Sequence, residues 1–309
     1  GFRRSVFFIS LAIPILFFLC LKEKFPSADT RLILLLSSVI FFNPFFRTSS
    51  FWGLEENYAI IFTLLSLLFL IKLSNYKQSN KKKLFFYIFF ITLFSSLTLY
   101  FDQKFLIIPL VCFLRIIFSK NLNSTKILCA ILYFTFSIPY LFLINLWGGI
   151  FPSDIYHVGR QFYFHHFGYA LTIISFIFFP FFFLKTNEIK DQILKFYNQK
   201  KIIFLFLIII FYLILLFFFN DDSFFVNRFD GGGIVKKISL IFFPDIFFKK
   251  LFIFLSILIS WFLIFIFIED SKYNLFLTFY FLIISVIVSP FFKSILILLF
   301  CSNFFLYLK

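Results

Sequence analysis

Long apolar runs, separated by short polar breaks, repeat from one end of the chain to the other. Most of the runs hold about fifteen to twenty residues, close to the length with which an α-helix crosses the hydrocarbon core of a bilayer. The run at 238–248 is too short to cross and predicts a re-entrant or interfacial segment. The pattern predicts membrane-spanning helices near residues 5–21, 32–46, 57–71, 84–101, 105–118, 127–146, 167–184, 202–219, 251–268, 274–292 and 294–308.

The composition strengthens this prediction. Of the 309 residues, 62% are apolar and 14% are charged, whereas a soluble domain has about half apolar and about a quarter charged residues. We therefore predict an all-α fold, a polytopic transmembrane helical bundle with about 10–11 spans and short loops. Residues 1–309 are expected to form a single integral-membrane domain. A disordered chain, a secreted disulfide scaffold and a cytosolic nucleotide-binding enzyme are excluded.

The net charge of +15 indicates membrane topology rather than nucleic-acid binding, because Lys and Arg residues lie in short breaks between apolar runs. Sixteen of them lie in one alternate set of breaks, at 22–31, 72–83, 115–126 and 185–201. The other set holds five, at 1–4, 47–56, 102–104 and 147–166. The positive-inside rule makes the first set cytoplasmic and the second extracytoplasmic. If residues 234–248 cross the membrane, the orientation of every later span is reversed.

The break at 147–166 is the most informative part of the predicted outer side. It carries Asp154, His157 and Arg160 within seven residues. A carboxylate, an imidazole and a guanidinium that lie close together could bind a phosphate and move a proton. The alternative interpretation is an interfacial belt of Trp, Tyr and His residues. We favour the functional interpretation, because so polar a cluster is unusual in this chain.

Two more outer breaks carry charged residues between apolar runs. Arg47 and Glu55 flank a polar segment between two apolar runs. The acidic residues of this segment could equally stabilise the N-terminus of the next helix through the helix dipole. Lys104 follows Asp102 and Gln103 in what we interpret as the tight turn of a helical hairpin. The alternative is that this carboxylate and ammonium face a cavity.

The polar stretch after the eighth predicted span is the last candidate. Asp221 and Asp222 could contribute to a divalent-metal site, and Arg228 is a further cation on this stretch. The cofactor prediction is therefore limited to a divalent metal, with no ligand set defined. The predicted spans carry no ionisable residue near their middles, which disfavours a channel or an ion-coupled pump.

Two stretches of the chain resemble the GT-C class of integral-membrane glycosyltransferases. Residues 42–57 resemble the segment that many bacterial members carry where an outer helix begins. Residues 145–157 are similar to the Asn-x-Gly-Gly…Gly-Asp-x-x-His stretch of the α-1,2-glucosyltransferases that finish dolichol-linked oligosaccharides, with Ser153 in place of the Gly before the Asp. The residues that carry the resemblance are Arg47, Trp52, Glu55, Glu56, Asn57, Asn145, Gly148, Gly149, Asp154 and His157.

The resemblance implies a polyprenyl-phosphate-linked sugar as donor and a lipid-linked or cell-surface glycan as acceptor. The site would lie on the extracytoplasmic face of a multi-pass protein among membrane lipids, in a bacterial inner membrane or, alternatively, the endoplasmic reticulum. Members of the class carry a key acidic residue in their first outer loop. Since the chain begins Gly-Phe-Arg-Arg and contains no Met, we expect that loop to lie upstream of Gly1.

The leading hypothesis is therefore a membrane hexosyltransferase. The alternative is a translocase, polymerase or accessory subunit for polyprenyl-linked glycans, without glycosyl transfer of its own. Under the first hypothesis an acidic residue accepts the proton of the acceptor hydroxyl, and cations stabilise the departing phosphate. The candidate catalytic residues are Asp154, then Glu55, with His157, and the candidate phosphate-binding residues are Arg160, Arg47, Lys104 and Arg228.

Overall fold

The computed structural model of the chain is helical throughout the part that it describes, where no strand occurs. The described helices fall into two compact units, Gly1–Arg160 and Gln161–Lys309. The structure describes residues 1–42, 44–76, 80–101, 103–119, 123–148 and 233–267, together with the single positions Thr172, Phe206, Ile209 and Ile210.

Eight α-helices and two short 3-10 segments make up the described part of the first unit, and two α-helices that of the second. In the first unit they are α1 (Phe2–Ser10), α2 (Ala12–Lys24), α3 (Thr30–Ser38), α4 (Pro44–Trp52), α5 (Glu56–Ser74), α6 (Lys81–Phe101), α7 (Ile107–Ile117) and α8 (Asn123–Trp147), with 3-10 segments at Val39–Phe42 and Gln103–Leu106. In the second unit they are α9 (Gly233–Phe242) and α10 (Ile246–Phe267).

Four helices in the described residues are long and apolar enough to cross a membrane. They are Phe2–Lys24 (α1 and α2 together), Glu56–Ser74, Lys81–Phe101 and Asn123–Trp147. At a rise of about 1.5 Å per residue, the 19 residues of α5 extend for about 28 Å. The helices predicted near 5–21, 57–71, 84–101 and 127–146 are therefore confirmed as helices of spanning length.

Proline residues account for two of the places where the helices are interrupted. Pro14 is the third residue of α2, and its ring conflicts with the carbonyl group four residues earlier, at Ser10. This explains the break at Leu11 between α1 and α2. The prediction of one continuous helix over 32–46 is wrong: α3 ends at Ser38, and α4 begins at Pro44. Proline suits the first turn of a helix but disfavours helical backbone at the residue before it.

Two other predicted spans are shorter or differently bounded in the structure. The apolar run at 105–118 forms the 11-residue α7, about 16 Å long, which is half the thickness of a bilayer core. In the second unit, the segment predicted at 238–248 covers the end of α9 and the start of α10. The helix predicted at 251–268 corresponds to α10, which begins five residues earlier.

The core of the first unit lies between α5 and α6. Ile88 and Ile91 on α6 are fully buried, as is Ala59 on α5. Phe69 of α5 stacks on Phe90 of α6 with ring centroids 5.1 Å apart. Polar side chains within this core donate to their own helix: the hydroxyl groups of Thr63, Thr92 and Ser95 donate to the backbone carbonyls four residues earlier.

The basic breaks at 22–31 and 72–83 come together at one end of the first unit, which we call the lysine end. The amide of Asn75 donates to the carbonyl oxygen of Glu23 at 3.2 Å. Near them the Lys22 ammonium donates to the Thr30 hydroxyl at 2.6 Å. The lysine end thus gathers two breaks that the positive-inside rule assigns to the cytoplasm.

We expect burial to decide the effect of isoleucine truncation in these helices. Ile88 is fully buried on α6, whereas Ile131 on α8 is 56% exposed. Ile88→Ala should lower the free energy of unfolding by about 2 kcal/mol or more, because it opens a cavity in the packed core. Ile131→Ala should lower the free energy of unfolding much less, because Ile131 is largely exposed. Unfolding in detergent micelles, followed by circular dichroism, checks this, and equal losses would contradict the packing described above.

Candidate functional site

The end of the first unit opposite the lysine end is built around a sharp turn between α4 and α5. We call residues 51–55 the elbow. The backbone N–H groups of Gly53 and Leu54 both donate to the carbonyl oxygen of Ser49, at 2.9 and 3.0 Å. Gly53 has φ of +74°, a left-handed conformation that glycine adopts without steric cost. The chain therefore reverses at Gly53 and enters α5 at Glu56.

Helix α1 lies directly against the elbow. The Arg3 side chain donates from Nε to the carbonyl oxygen of Phe51 at 2.6 Å. The Ser5 and Tyr58 hydroxyl groups share a hydrogen bond of 3.0 Å. A β-carbon at Gly53 would lie 2.8 Å from the Cα atom of Arg3, so the absence of a side chain at Gly53 permits this approach.

Between α1 and the elbow lies an open groove of about 520 Å³, which we call the arginine groove. The Arg3 guanidinium carbon is 4.6 Å from the centre of the Phe51 ring and 5.3 Å from that of Trp52. These cation–π contacts hold the cation beside an apolar wall. The groove therefore combines two exposed cations with aromatic rings. Its lining residues are Arg3, Arg4, Phe7, Phe8 and Phe51.

A stack of aromatic rings extends from α1 across the start of α5 to the end of α6. The Tyr58 ring is stacked on Phe101 at a centroid distance of 5.1 Å and on Phe2 at 6.2 Å. Phe101 ends α6, so the start of α5 and the end of α6 lie side by side. We call this end, with the elbow and the groove, the Trp52 end. Aromatic side chains of this kind are typical of membrane–water interfaces.

Asn57, two residues after the elbow, is at the centre of a buried polar cluster. Its Nδ2 group donates to Ser10 Oγ at 2.7 Å and to Ser50 Oγ at 3.1 Å, and its Oδ1 atom accepts from Ser49 Oγ at 2.9 Å. Asn57, Ser49 and Ser10 are at most 1% exposed. We call Asn57 and these three serines the Asn57 cluster. It joins α1, α4 and α5, the three helices that form the groove and the elbow.

The structure brings together only part of the site predicted from the sequence. Glu55 lies exposed at the elbow, one residue before α5. The backbone of Arg47 lies in α4, and that of Lys104 lies in the 3-10 segment that follows α6. Both segments adjoin the Trp52 end. The other predicted site residues, Asp154, His157, Arg160 and Arg228, lie outside the described residues.

Sequence reasoning missed three residues that shape this end. The sequence indicates Arg3 and Arg4 only as topology signals, and Asn57 only as part of the resemblance at 42–57. The sequence did contain one indication of the groove. Two arginines shortly precede the Phe7-Phe8 pair, on the side predicted to lie outside the cytoplasm. The cluster of Asn57 with three serines had no comparable signal, because Ser10 is 47 residues away in the sequence.

Metal ligation is not supported at this end. Across the part of the chain that the structure describes, no three His, Cys, Asp or Glu side chains lie together as a metal site requires. Cys20, Cys112 and Cys129 are buried free thiols, as is usual for cysteines that pack as small hydrophobic residues. The Asp221–Asp222 pair lies outside the described residues.

We expect Gly53→Ala to destabilise the protein more than Gly148→Ala. Both glycines have positive φ, +74° and +68°, but a β-carbon at Gly148 would meet no atom of the described residues within 4 Å. The backbone strain is similar in the two variants, about 1–2 kcal/mol, so any difference reports the contact with α1. The measurement is the midpoint of thermal unfolding in detergent. Equal shifts would mean that α1 does not lie against Gly53.

No family model matches this chain, and neither the curated proteins nor the solved structures contain a significant match.

Proposed function

We propose that the chain is a membrane glycosyltransferase that moves a sugar from a polyprenyl-phosphate donor to a lipid-linked or cell-surface acceptor at the extracytoplasmic face. The arginine groove is the observation that carries this proposal. It offers two guanidinium groups and three phenylalanine rings in one cleft. A polyprenyl phosphate has the matching parts, a phosphate head and a long apolar tail.

The chemistry of the groove suits a phosphate on a lipid. Guanidinium groups form paired, charge-assisted hydrogen bonds with phosphate oxygens. The Nε bond from Arg3 to Phe51 uses one of the five N–H donors of the guanidinium and fixes the direction of the group. Phe7 and Phe8 lie further along α1 and are exposed, so the apolar tail would follow the helix into the membrane.

Glycosyl transfer also needs a group that accepts the proton of the acceptor hydroxyl. Glu55 is the candidate that the structure describes, and it stands on the elbow four residues after Phe51, which lines the groove. Asp154, which is the first candidate predicted from the sequence, is the other. In this proposal Arg3 and Arg4 join Arg160, Arg47, Lys104 and Arg228 as cations available to stabilise the departing phosphate.

Removal of the groove cations should weaken donor binding. We expect the pair Arg3→Gln and Arg4→Gln to weaken the binding of polyprenyl phosphate by about 100-fold, since a charged hydrogen bond contributes roughly 1.5 kcal/mol or more and about 1.4 kcal/mol is tenfold in affinity. The measurement is the equilibrium dissociation constant in phosphatidylcholine nanodiscs.

The matched control is the pair Lys81→Gln and Lys82→Gln, which removes the same charge from two exposed residues at the lysine end. We expect unchanged affinity for the control. Competition by phosphatidylglycerol as strong as by polyprenyl phosphate would indicate a general anionic-lipid site instead. An equal loss of affinity in both double variants would contradict a role for the groove.

Glu55→Gln separates proton transfer from donor binding. If Glu55 is the base, transfer of radiolabelled sugar from a panel of polyprenyl-phosphate hexoses should fall at least 100-fold, in line with the contribution of general base catalysis. The affinity for polyprenyl phosphate should stay within about twofold, because the phosphate contacts remain.

If Glu55→Gln keeps its activity, the same sugar-transfer assay on Asp154→Asn tests whether Asp154 is the base. Sugar transfer that survives both substitutions would exclude both carboxylates from this role. Movement of the lipid-linked sugar across vesicle membranes, without transfer to any acceptor, would instead support the translocase alternative.

A further inference from the structure

We infer that Asn57 is the positioning residue of the arginine groove: through the Asn57 cluster it holds α1, which carries the cations, against α4 and the elbow. The inference rests on the proposed function for its ligand, but the placement of α1 can be measured without any ligand. Asn57 does not line the groove and acts through the serines that it binds.

Each partner of Asn57 belongs to an element that forms one side of the groove. Ser10 ends α1, the helix that carries Arg3, Arg4, Phe7 and Phe8. Ser49 and Ser50 immediately precede Phe51 in α4. Asn57 itself is the second residue of α5, two residues after Glu55. The Asn57 side chain therefore links the cation-bearing helix, from its buried end, to the helix of the aromatic wall and to the helix that follows the candidate base.

The hydrogen bonds of the cluster make this arrangement specific. Both Nδ2 hydrogens of Asn57 and its Oδ1 atom are bonded to a serine hydroxyl. An amide that is 0% exposed has no water with which to replace these bonds, so a shift of α1 would leave buried polar groups without partners. The cluster thus favours one position of α1 over nearby alternatives.

The serines are also bonded within their own helices, which makes the inference testable without unfolding the protein. Ser10 donates to the Val6 carbonyl at 2.6 Å, and Ser50 donates to the Phe46 carbonyl at 2.7 Å. Ser49 lies 3.2 Å from the same Phe46 oxygen. In Asn57→Leu all three hydroxyl groups keep an acceptor. The substitution therefore removes the hydrogen bonds that the Asn57 cluster makes between helices and leaves those within each helix intact.

Thr63→Val is the matched control. Thr63 is on the same helix and is also 0% exposed, and its hydroxyl donates to the Ala59 carbonyl within α5. This substitution removes a buried polar group of α5 with nearly the same shape and leaves the links among α1, α4 and α5 unchanged. Any effect seen with Asn57→Leu and absent from Thr63→Val belongs to those links.

The first measurement is the distance between spin labels attached at Ile9 on α1 and Glu55 on the elbow. The experiment uses the full chain in nanodiscs, with Cys20, Cys112, Cys129 and Cys301 replaced by Ala. We expect a narrow distance distribution in the parent protein and in Thr63→Val. In Asn57→Leu the distribution should become at least twice as wide, because the buried end of α1 loses its hydrogen bond to α5.

The second measurement is the affinity for polyprenyl phosphate in the unlabelled proteins. We expect Asn57→Leu to bind about tenfold more weakly than the parent and Thr63→Val to bind equally well. A variant that loses only stability would not show this difference at temperatures well below its unfolding midpoint. If Asn57→Leu does not fold, Ser10→Ala replaces it, since that substitution removes only the link to α1.

The outcomes are distinguishable. A wider distance distribution together with weaker binding supports the positioning role. An unchanged distribution and an unchanged affinity in Asn57→Leu would overturn it and leave Asn57 as a packing residue. If the distribution widens but the parent protein itself does not bind polyprenyl phosphate, the placement of α1 by Asn57 stands and the proposed function fails.

Discussion

A polar side chain inside an apolar helical interior must find its hydrogen bonds within the protein, and the arrangement at the Trp52 end depends on how this constraint is met. Thr63 and Thr92 meet it locally, by donating to their own helices. Asn57 meets it by bonding to α1 and α4. The first solution leaves helices able to slide past one another, whereas the second ties three helices to one position.

The position of α1 has two consequences for the surface. It brings the Arg3 guanidinium against the Phe51 and Trp52 rings, so that a cation stands beside an apolar wall. It also requires Gly53 at the elbow, because a side chain there would meet the Arg3 backbone. The two ends of the unit differ accordingly. The lysine end presents exposed ammonium groups near loops, while the Trp52 end presents guanidinium groups within a cleft.

This difference gives the proposed glycosyl transfer its physical basis. Exposed lysines at a membrane surface attract anionic lipids without selecting among them. A guanidinium group of fixed direction, such as that of Arg3, next to aromatic rings suits a phosphate that carries a long apolar chain. In the proposed function, Glu55 on the elbow is the carboxylate that would accept a proton near the head of such a ligand. Asn57 would affect all three groups at once, since it sets the position of α1 relative to α4 and α5.

The sequence by itself determined the helices near 57–71, 84–101 and 127–146, because the length of an apolar run is a local property. The alternation of basic breaks likewise anticipated the lysine end. Local pattern did not determine the interruption of 32–46, where Pro44 outweighs the apolar run. Nor did it determine the groove, because Arg3 meets Phe51 across 48 residues of sequence. That contact requires two distant segments to fit together. The fit depends on the absence of a side chain at Gly53 and on the hydrogen bonds of Asn57, and only the tertiary structure decides it.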